Sequence, residues 1–197
     1  MILKTSLLVL CFTAKSLYAQ AIHTIETYDN GNIKHIYYHQ KVSNKIKKTK
    51  FEEYFKNGNK RKEGSFRNNK KSGIWKEWNE EGIKISEGNY TNGYRDGFWV
   101  GWHENGVKQG EVTWKNGMES GLWIIWHQNG KKMREVHWLD GKRDGKCQEW
   151  YENGTKKLEG FWKQGFKNGK WNYWYENGKK IKEEIHEEGE MKMEKWY

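Results

Sequence analysis

Glycine returns every 24 residues along most of this chain, at Gly58, Gly82, Gly106, Gly130, Gly154 and Gly178, and no other property of the sequence restricts its fold as strongly. A fixed period of this length means that one small structural unit is repeated, each copy burying its apolar surface against its neighbours. Four further columns keep the same step. Phe51, Trp75, Trp99, Trp123, Cys147 and Trp171 form one, and Tyr54, Trp78, Trp102, Trp126, Trp150 and Trp174 form a second. Phe66, Tyr90, Trp114, Trp138 and Trp162 make a third aromatic column, and Gly73, Gly97, Gly121, Gly145 and Gly169 a column of glycine. Six repeats therefore cover about residues 51–197, and Asp29-Asn30-Gly31 looks like a degenerate earlier copy at shifted spacing.

Each repeat carries two turn signals, such as Asn105-Gly106 and Asn116-Gly117, between short segments rich in aromatic and β-branched residues. Asn-Gly in that setting is the strongest short-range hairpin signal, because both central residues of a type I′ turn need positive φ. Every repeat is thus expected to be two antiparallel strands, and the array an all-β meander of about twelve strands with no helix. With 35% hydrophobic and 31% charged residues, the chain lacks the aliphatic side chains for a thick core, so its 13 tryptophans must supply one. An aromatic content of 16% also argues against disorder.

A two-residue loop at Asn105-Gly106 sets Trp99 opposite Val112 and Trp102 opposite Gln109, and in the preceding repeat Trp75 opposite Gly88 and Trp78 opposite Ile85. Side chains alternate along a strand, so the two Trp columns, three residues apart, point to opposite faces unless a bulge intervenes. On the first face the Trp75 ring is expected to cover bare glycine backbone at Gly88, beside Tyr90 and Gly73. That face is the expected packed side. The second face, with Trp78, Trp102, Trp126, Trp150 and Trp174, is the expected surface and the candidate binding strip.

Two charged columns are filled in every repeat. Lys60, Lys84, Lys108, Lys132, Lys156 and Lys180 follow the turn glycine by two residues, and Glu63, Glu87, Glu111, Glu135, Glu159 and Glu183 by five. The same register puts the glutamates on the second face and the lysines on the first. The plainer reading is solvated charge, with lysine stems lying over neighbouring rings. The sharper one is a recognition strip in which Glu87, Glu111 and Glu135 act with the tryptophans, equivalent residues recurring at about 9.5 Å.

At the N-terminus, Lys4 precedes the apolar run Leu7-Leu8-Val9-Leu10-Cys11-Phe12, and Ala19 and Ala21 follow, which reads as a secretory signal peptide. The run is far short of the roughly 20 residues that span a bilayer. Residues 1–19 are therefore expected to be removed, leaving an N-terminal segment 20–50 and the array 51–197. Their loss takes Lys4 and Lys15 but no acidic residue, so the charge falls from +10 to +8, and Cys147 becomes the only cysteine, which excludes an internal disulfide. A secreted, periplasmic or cell-envelope location follows from this reading. The densest basic run, Lys41 to Lys50, reads either as a flexible connection or as a patch drawn to an anionic envelope surface.

The pattern Asn92-Gly93-Tyr94-Arg95-Asp96-Gly97-Phe98-Trp99, then Trp102-His103-Glu104-Asn105-Gly106 and Lys108, resembles the MORN-repeat variant of bacterial proteins called YwqK-family toxin–antitoxin antitoxins. The resemblance covers about three quarters of the chain. It implies an elongated antiparallel β-repeat scaffold, or solenoid, that binds other molecules, and it carries over no catalytic residue. Cys147 in a Trp column and Glu184 opposite Trp171 depart from the pattern, so the last two repeats are expected to pack less well.

Catalytic constellations are lacking in the sequence. It has no phosphate-binding Gly-rich loop, no His-Glu-x-x-His and no paired-cysteine metal site, and neither a metal nor a cofactor is expected. His103 and His127 share a column with Asn79, Tyr151 and Tyr175, as an exposed position would, and Cys147 reads as a smaller filler rather than a nucleophile. Basic charge with interleaved aromatics suits nucleic acid, but no nucleic-acid motif accompanies it and an export signal points away from it. The expectation is an exported, non-catalytic, antitoxin-like interaction scaffold with a protein partner. The alternative is an envelope carbohydrate-binding module that stacks its Trp strip on sugar rings.

Overall fold

The computed structural model describes residues 6–8, 21–42 and 44–197. The chain divides into two compact blocks, one ending at Tyr94 and the other running from Arg95 to Tyr197. The first holds β1 (Ser6–Leu8), β2 (Ala21–Thr27), β3 (Ile33–Val42), β4 (Lys45–Tyr54), β5 (Lys60–Arg67), β6 (Lys70–Trp78) and β7 (Lys84–Thr91). The second holds β8 (Tyr94–Trp102), β9 (Lys108–Lys115), β10 (Met118–Trp126), β11 (Lys132–Leu139), β12 (Lys142–Trp150), β13 (Lys156–Lys163), β14 (Phe166–Trp174), β15 (Lys180–Glu187) and β16 (Glu190–Trp196). Within each block every strand pairs antiparallel with its sequence neighbour. The fold is all-β. Most of the expected signal peptide lies outside the described residues; the part described, β1, pairs with β2. The Lys41–Lys50 stretch is not a flexible connection but the end of the β3–β4 hairpin, with Lys45 to Lys50 inside β4.

The two turn signals of a repeat make two different turns. At Asn116-Gly117 both residues have positive φ, 52° and 82°, as a type I′ turn requires, and Lys115 pairs directly with Met118. Asp140-Gly141, Gln164-Gly165 and Glu188-Gly189 repeat this geometry. At Asn105-Gly106 only Gly106 has positive φ, and His103 bonds Val107 across a three-residue loop, Glu104-Asn105-Gly106. This turn is closed by the Gly106 amide donating to the His103 carbonyl, so it is a tight turn followed by a left-handed glycine rather than the expected two-residue loop. Gly58, Gly82, Gly130, Gly154 and Gly178 close equivalent loops. So does Gly31, which makes the degenerate copy a structural repeat as well.

The first aromatic column forms the core. Phe51 and Trp75 are buried in the first block, and Trp99, Cys147 and Trp171 in the second. Trp75 pairs with Gly88, as expected. It lies over Gly64 on the preceding strand, where its Nε1 donates to the Ser65 carbonyl at 3.1 Å. Trp171 repeats this over Gly160, its Nε1 donating to the Phe161 carbonyl at 3.2 Å. At one hairpin Val136 faces Cys147 in place of the glycine and tryptophan, so side-chain volume moves from one strand to its neighbour there, while Trp123 keeps its ring beside Val112, its Nε1 donating to the Thr113 carbonyl at 3.2 Å. The last repeats therefore pack well, against the expectation. Val136, Cys147 and Trp171 form a cluster with Trp123, Trp138, Leu158, Trp162 and Tyr173 around it. Cations lie over these rings, Lys71 over Trp75 at 4.3 Å, Arg95 over Trp99 at 4.3 Å and Arg143 over Trp162 at 4.9 Å, and their stems shield apolar area from water.

Candidate functional site

The three-residue loop decides which side chains share the second face. It shifts the pairing by one residue, so Trp102 lies opposite Lys108 rather than Gln109, and a bulge at Gln109 restores the expected Trp99–Val112 register. The same bulge recurs at Arg61, Ile85, Met133, Lys157 and Ile181, and Trp78 accordingly faces Lys84 rather than Ile85. A bulge adds one residue to one strand and so flips the alternation of side chains beyond it. Lysine and glutamate three residues apart, which a regular strand would separate, thus fall on one face beside the second aromatic column. The expected placement of the lysines on the first face is overturned for this reason.

All six Lys–Glu pairs close. Lys60 bonds Glu63 at 2.8 Å, Lys84 bonds Glu87 at 2.7 Å and Lys156 bonds Glu159 at 2.7 Å. Lys108 pairs with Glu111, Lys132 with Glu135 and Lys180 with Glu183. The same lysines reach rings of the next repeat: Lys108 lies over Trp126 at 5.2 Å, Lys132 over Trp150 at 5.9 Å and Lys156 over Trp174 at 5.7 Å. Trp78, Trp102, Trp126, Trp150 and Trp174 are half-buried. Within each block the rings of this column are therefore partly covered and set beside ion pairs, rather than bare aromatic platforms.

Each loop also stitches itself to the next. Asn105 Nδ2 donates to the Gln128 carbonyl at 2.9 Å, Asn129 to Glu152 at 2.8 Å and Asn153 to Glu176 at 3.0 Å, and Asn57 to Glu80 at 2.9 Å in the first block. His103 and His127 are not surface residues. Their Nε2 atoms lie 2.9 and 3.0 Å from the Trp126 and Trp150 carbonyls, where Tyr151 and Tyr28 place a hydroxyl on the equivalent carbonyls of Trp174 and Tyr54. An Nε2 that meets a carbonyl must carry the proton, which fixes the tautomer. An open groove of about 310 Å³ beside His127 is lined by Arg134 and Glu149, already joined at 2.6 Å. Among the described residues, no group of three or more His, Cys, Asp or Glu could hold a metal ion.

Two buried carboxylates, Glu52 and Glu184, gather clusters of donors that the sequence does not announce. Glu52, on the second face of the first block, accepts from Tyr38 at 2.6 Å, Lys50 at 2.8 Å, Tyr54 at 3.0 Å and Lys60 at 3.0 Å. Burial alone would raise its pKa, but these four donors outweigh it and hold the carboxyl down at about 2. Burial and the bond to this anion push Tyr38 up to about 12. Glu184, opposite Trp171, is buried among Lys182, Tyr173, His186 and Lys167; burial opposes its charge, and the donors again win, lowering the pKa. Its one sequence signal was a charged residue in a column otherwise held by glycine and valine. Burial, aided by the nearby Glu149 carboxylate, raises the pKa of Cys147, which keeps its thiol protonated and poorly nucleophilic.

No curated protein matches the chain. The model of the MORN repeat variant matches it six times, at residues 49–68, 71–92, 95–116, 119–140, 143–164 and 167–188, with each match from the second onward running from just after one type I′ turn to the next. Together these segments cover more than half of its length, and the chain belongs to the MORN repeat variant family.

Proposed function

We propose that this protein is an exported, non-catalytic scaffold that binds a protein partner along the second face of its repeats. The observation that carries this reading is the recurrent bulge, which sets an aromatic ring, a lysine and a glutamate side by side in all six repeats. A protein surface offers both apolar and ionic complements to such a row, and half-buried Trp anchors among ion pairs are what hot spots are built from. A glycan would need open ring faces for stacking, and lysines lie over several of the rings. Export is supported by Lys4 and the apolar run after it. Neutralising a toxin would be one case of this binding, in which the partner's working surface is covered.

The test is retention of partners from an extract of the producing cells by the tagged full chain and by a Trp102→Ala/Trp126→Ala variant. A stoichiometric protein retained by the first and lost by the second, with folding intact by circular dichroism, is the expected result. Retained polysaccharide without such a protein would overturn it.

A further inference from the structure

The basic run at Lys41–Lys50 is not alone. No acidic residue occurs from Asn30 to Phe51, nor from Gly64 to Lys76. The fold brings the tips of these two segments together: the Lys48 amide donates to Asn69 Oδ1 in the β5–β6 turn at 3.4 Å, and the Lys48 ammonium lies over the Phe66 ring at 6.0 Å. Lys41, Lys45, Arg67 and Lys70 are exposed. None of the four forms a salt bridge among the described residues, whereas Lys60, Lys62 and Lys84 of the same block are ion-paired. This edge lies at the opposite end of the strands from the three-residue loops, and it owes nothing to the Trp–Lys–Glu row.

We infer that this double hairpin edge is a docking site for a linear phosphate-bearing polyanion, read through its backbone charge. Three features favour such a chain. The cations are almost all lysine, a point charge that binds phosphate without the planar fork that selects carboxylate pairs. Among the described residues none of the four is ion-paired, so no salt bridge has to be broken on binding. They also sit on both faces of the edge, because Lys41 pairs with Ile46 on one side of β4 while Lys45 and Lys47 alternate to the other. A flexible chain can wrap an edge and meet both sets, whereas a bilayer approaching either face meets one. The four strands β3 to β6 present this edge over about 14 Å.

The experiment titrates the full chain with a fluorescent inorganic polyphosphate at several salt concentrations. Binding should weaken steeply with salt, with a log–log slope of about −3 for four contacts. Lys41→Gln/Lys45→Gln/Arg67→Gln/Lys70→Gln should lose at least tenfold in affinity and most of that slope. A control that removes four cations elsewhere, Lys115→Gln/Lys142→Gln/Lys163→Gln/Lys192→Gln, should bind like the parent. An Arg67→Lys variant should also retain binding, and far-ultraviolet circular dichroism checks each fold. Equal losses in the control would reduce the effect to net charge and overturn the inference. So would binding to phosphatidylglycerol vesicles with none to polyphosphate. With the site upheld, a glycerol-phosphate polymer and single-stranded DNA as competitors distinguish an envelope polymer from a nucleic acid as the natural source. The Trp102→Ala/Trp126→Ala variant should bind polyphosphate normally, so failure here and failure of the proposed scaffold role are read separately.

Discussion

Replacing Gly160 with alanine tests the packing that holds the array together. A Cβ at that position would meet Cδ2 and Cε2 of the Trp171 indole head-on and Cε3 at 2.7 Å, where carbon atoms rest at about 3.5–4.0 Å. The ring must back off by about 1 Å, yet it is 2% exposed and tethered through Nε1 to the Phe161 carbonyl. Overpacking of a filled site costs about 1–3 kcal/mol, and partial loss of a buried Trp adds to it, against a gain of about 0.4–1 kcal/mol from stiffening the unfolded chain. The net is about 2 kcal/mol, or roughly 4–8 °C in Tm for a chain of this length. Gly110→Ala is the matched control. Its added Cβ meets the movable Cδ1 of Ile125 at 3.0 Å and the Ile124 carbonyl oxygen at an ordinary 3.7 Å, and no more than about 0.5 kcal/mol is expected. Thermal unfolding followed by Trp fluorescence and circular dichroism measures both. Equal losses in the two variants would refute the account of Trp171 as a lid on bare backbone. A second arm uses the natural exchange at Val136 and Cys147: Gly160→Val should be partly rescued by Trp171→Cys, with a coupling energy of at least about 1 kcal/mol.

Acid stability should report on Glu52. Its folded pKa of about 2 lies below the ordinary 4.5, so the stabilisation is present above the unfolded value and is lost as pH falls from about 4.5 towards 2. Glu52→Gln should remove that part of the acid limb in a pH series of urea midpoints; an unchanged limb would place the acid sensitivity elsewhere. Gln164 holds φ at 51° in a type I′ turn that asparagine fills at Asn92 and Asn116, so Gln164→Asn should raise stability by about 0.5 kcal/mol, and a lower Tm would contradict the turn assignment. Lys132→Gln breaks an exposed ion pair with Glu135 and should cost less than 1 kcal/mol at low salt and less again in high salt, so a larger loss would mean that the pair holds the fold. Asn129→Ala removes an amide bonded to the Glu152 carbonyl and to the Lys131 amide, and a loss of about 1 kcal/mol in a denaturant titration is expected.

The period, the two strands per repeat and the packed first face were legible because they depend on identity at fixed spacing. The register near Trp102 was not. Asn-Gly reads alike at positions 105–106 and 116–117, yet the loops it closes differ by one residue, and a step of one exchanges the faces of every side chain beyond it. The clue lay in the charges: opposite signs three residues apart in six repeats make sense only if a bulge brings them to one face. His103 and His127 were misplaced for a related reason. Variation in their column reflects interchangeable donors to a carbonyl, imidazole or phenol, rather than freedom at a surface. The clusters around Glu52 and Glu184 draw on residues from several strands, and no spacing along one strand announces them.

The exchange of Val136 and Cys147 bears on how such a chain can grow or shrink. The two residues face each other across the type I′ hairpin of β11 and β12, so the choice made at one is tied to the choice made at the other. A duplication or deletion with ends in the type I′ turns would part them and, where Cys147 came to face a glycine, leave a hole; a ring beside valine is accommodated, as at Trp123 and Val112. One with ends in the three-residue loops would keep each pair intact, and joining Glu104 to Asn129 would rebuild a loop of the same pattern. The portable module of this architecture is therefore the hairpin from loop to loop, half a repeat out of phase with the segments by which the family is recognised.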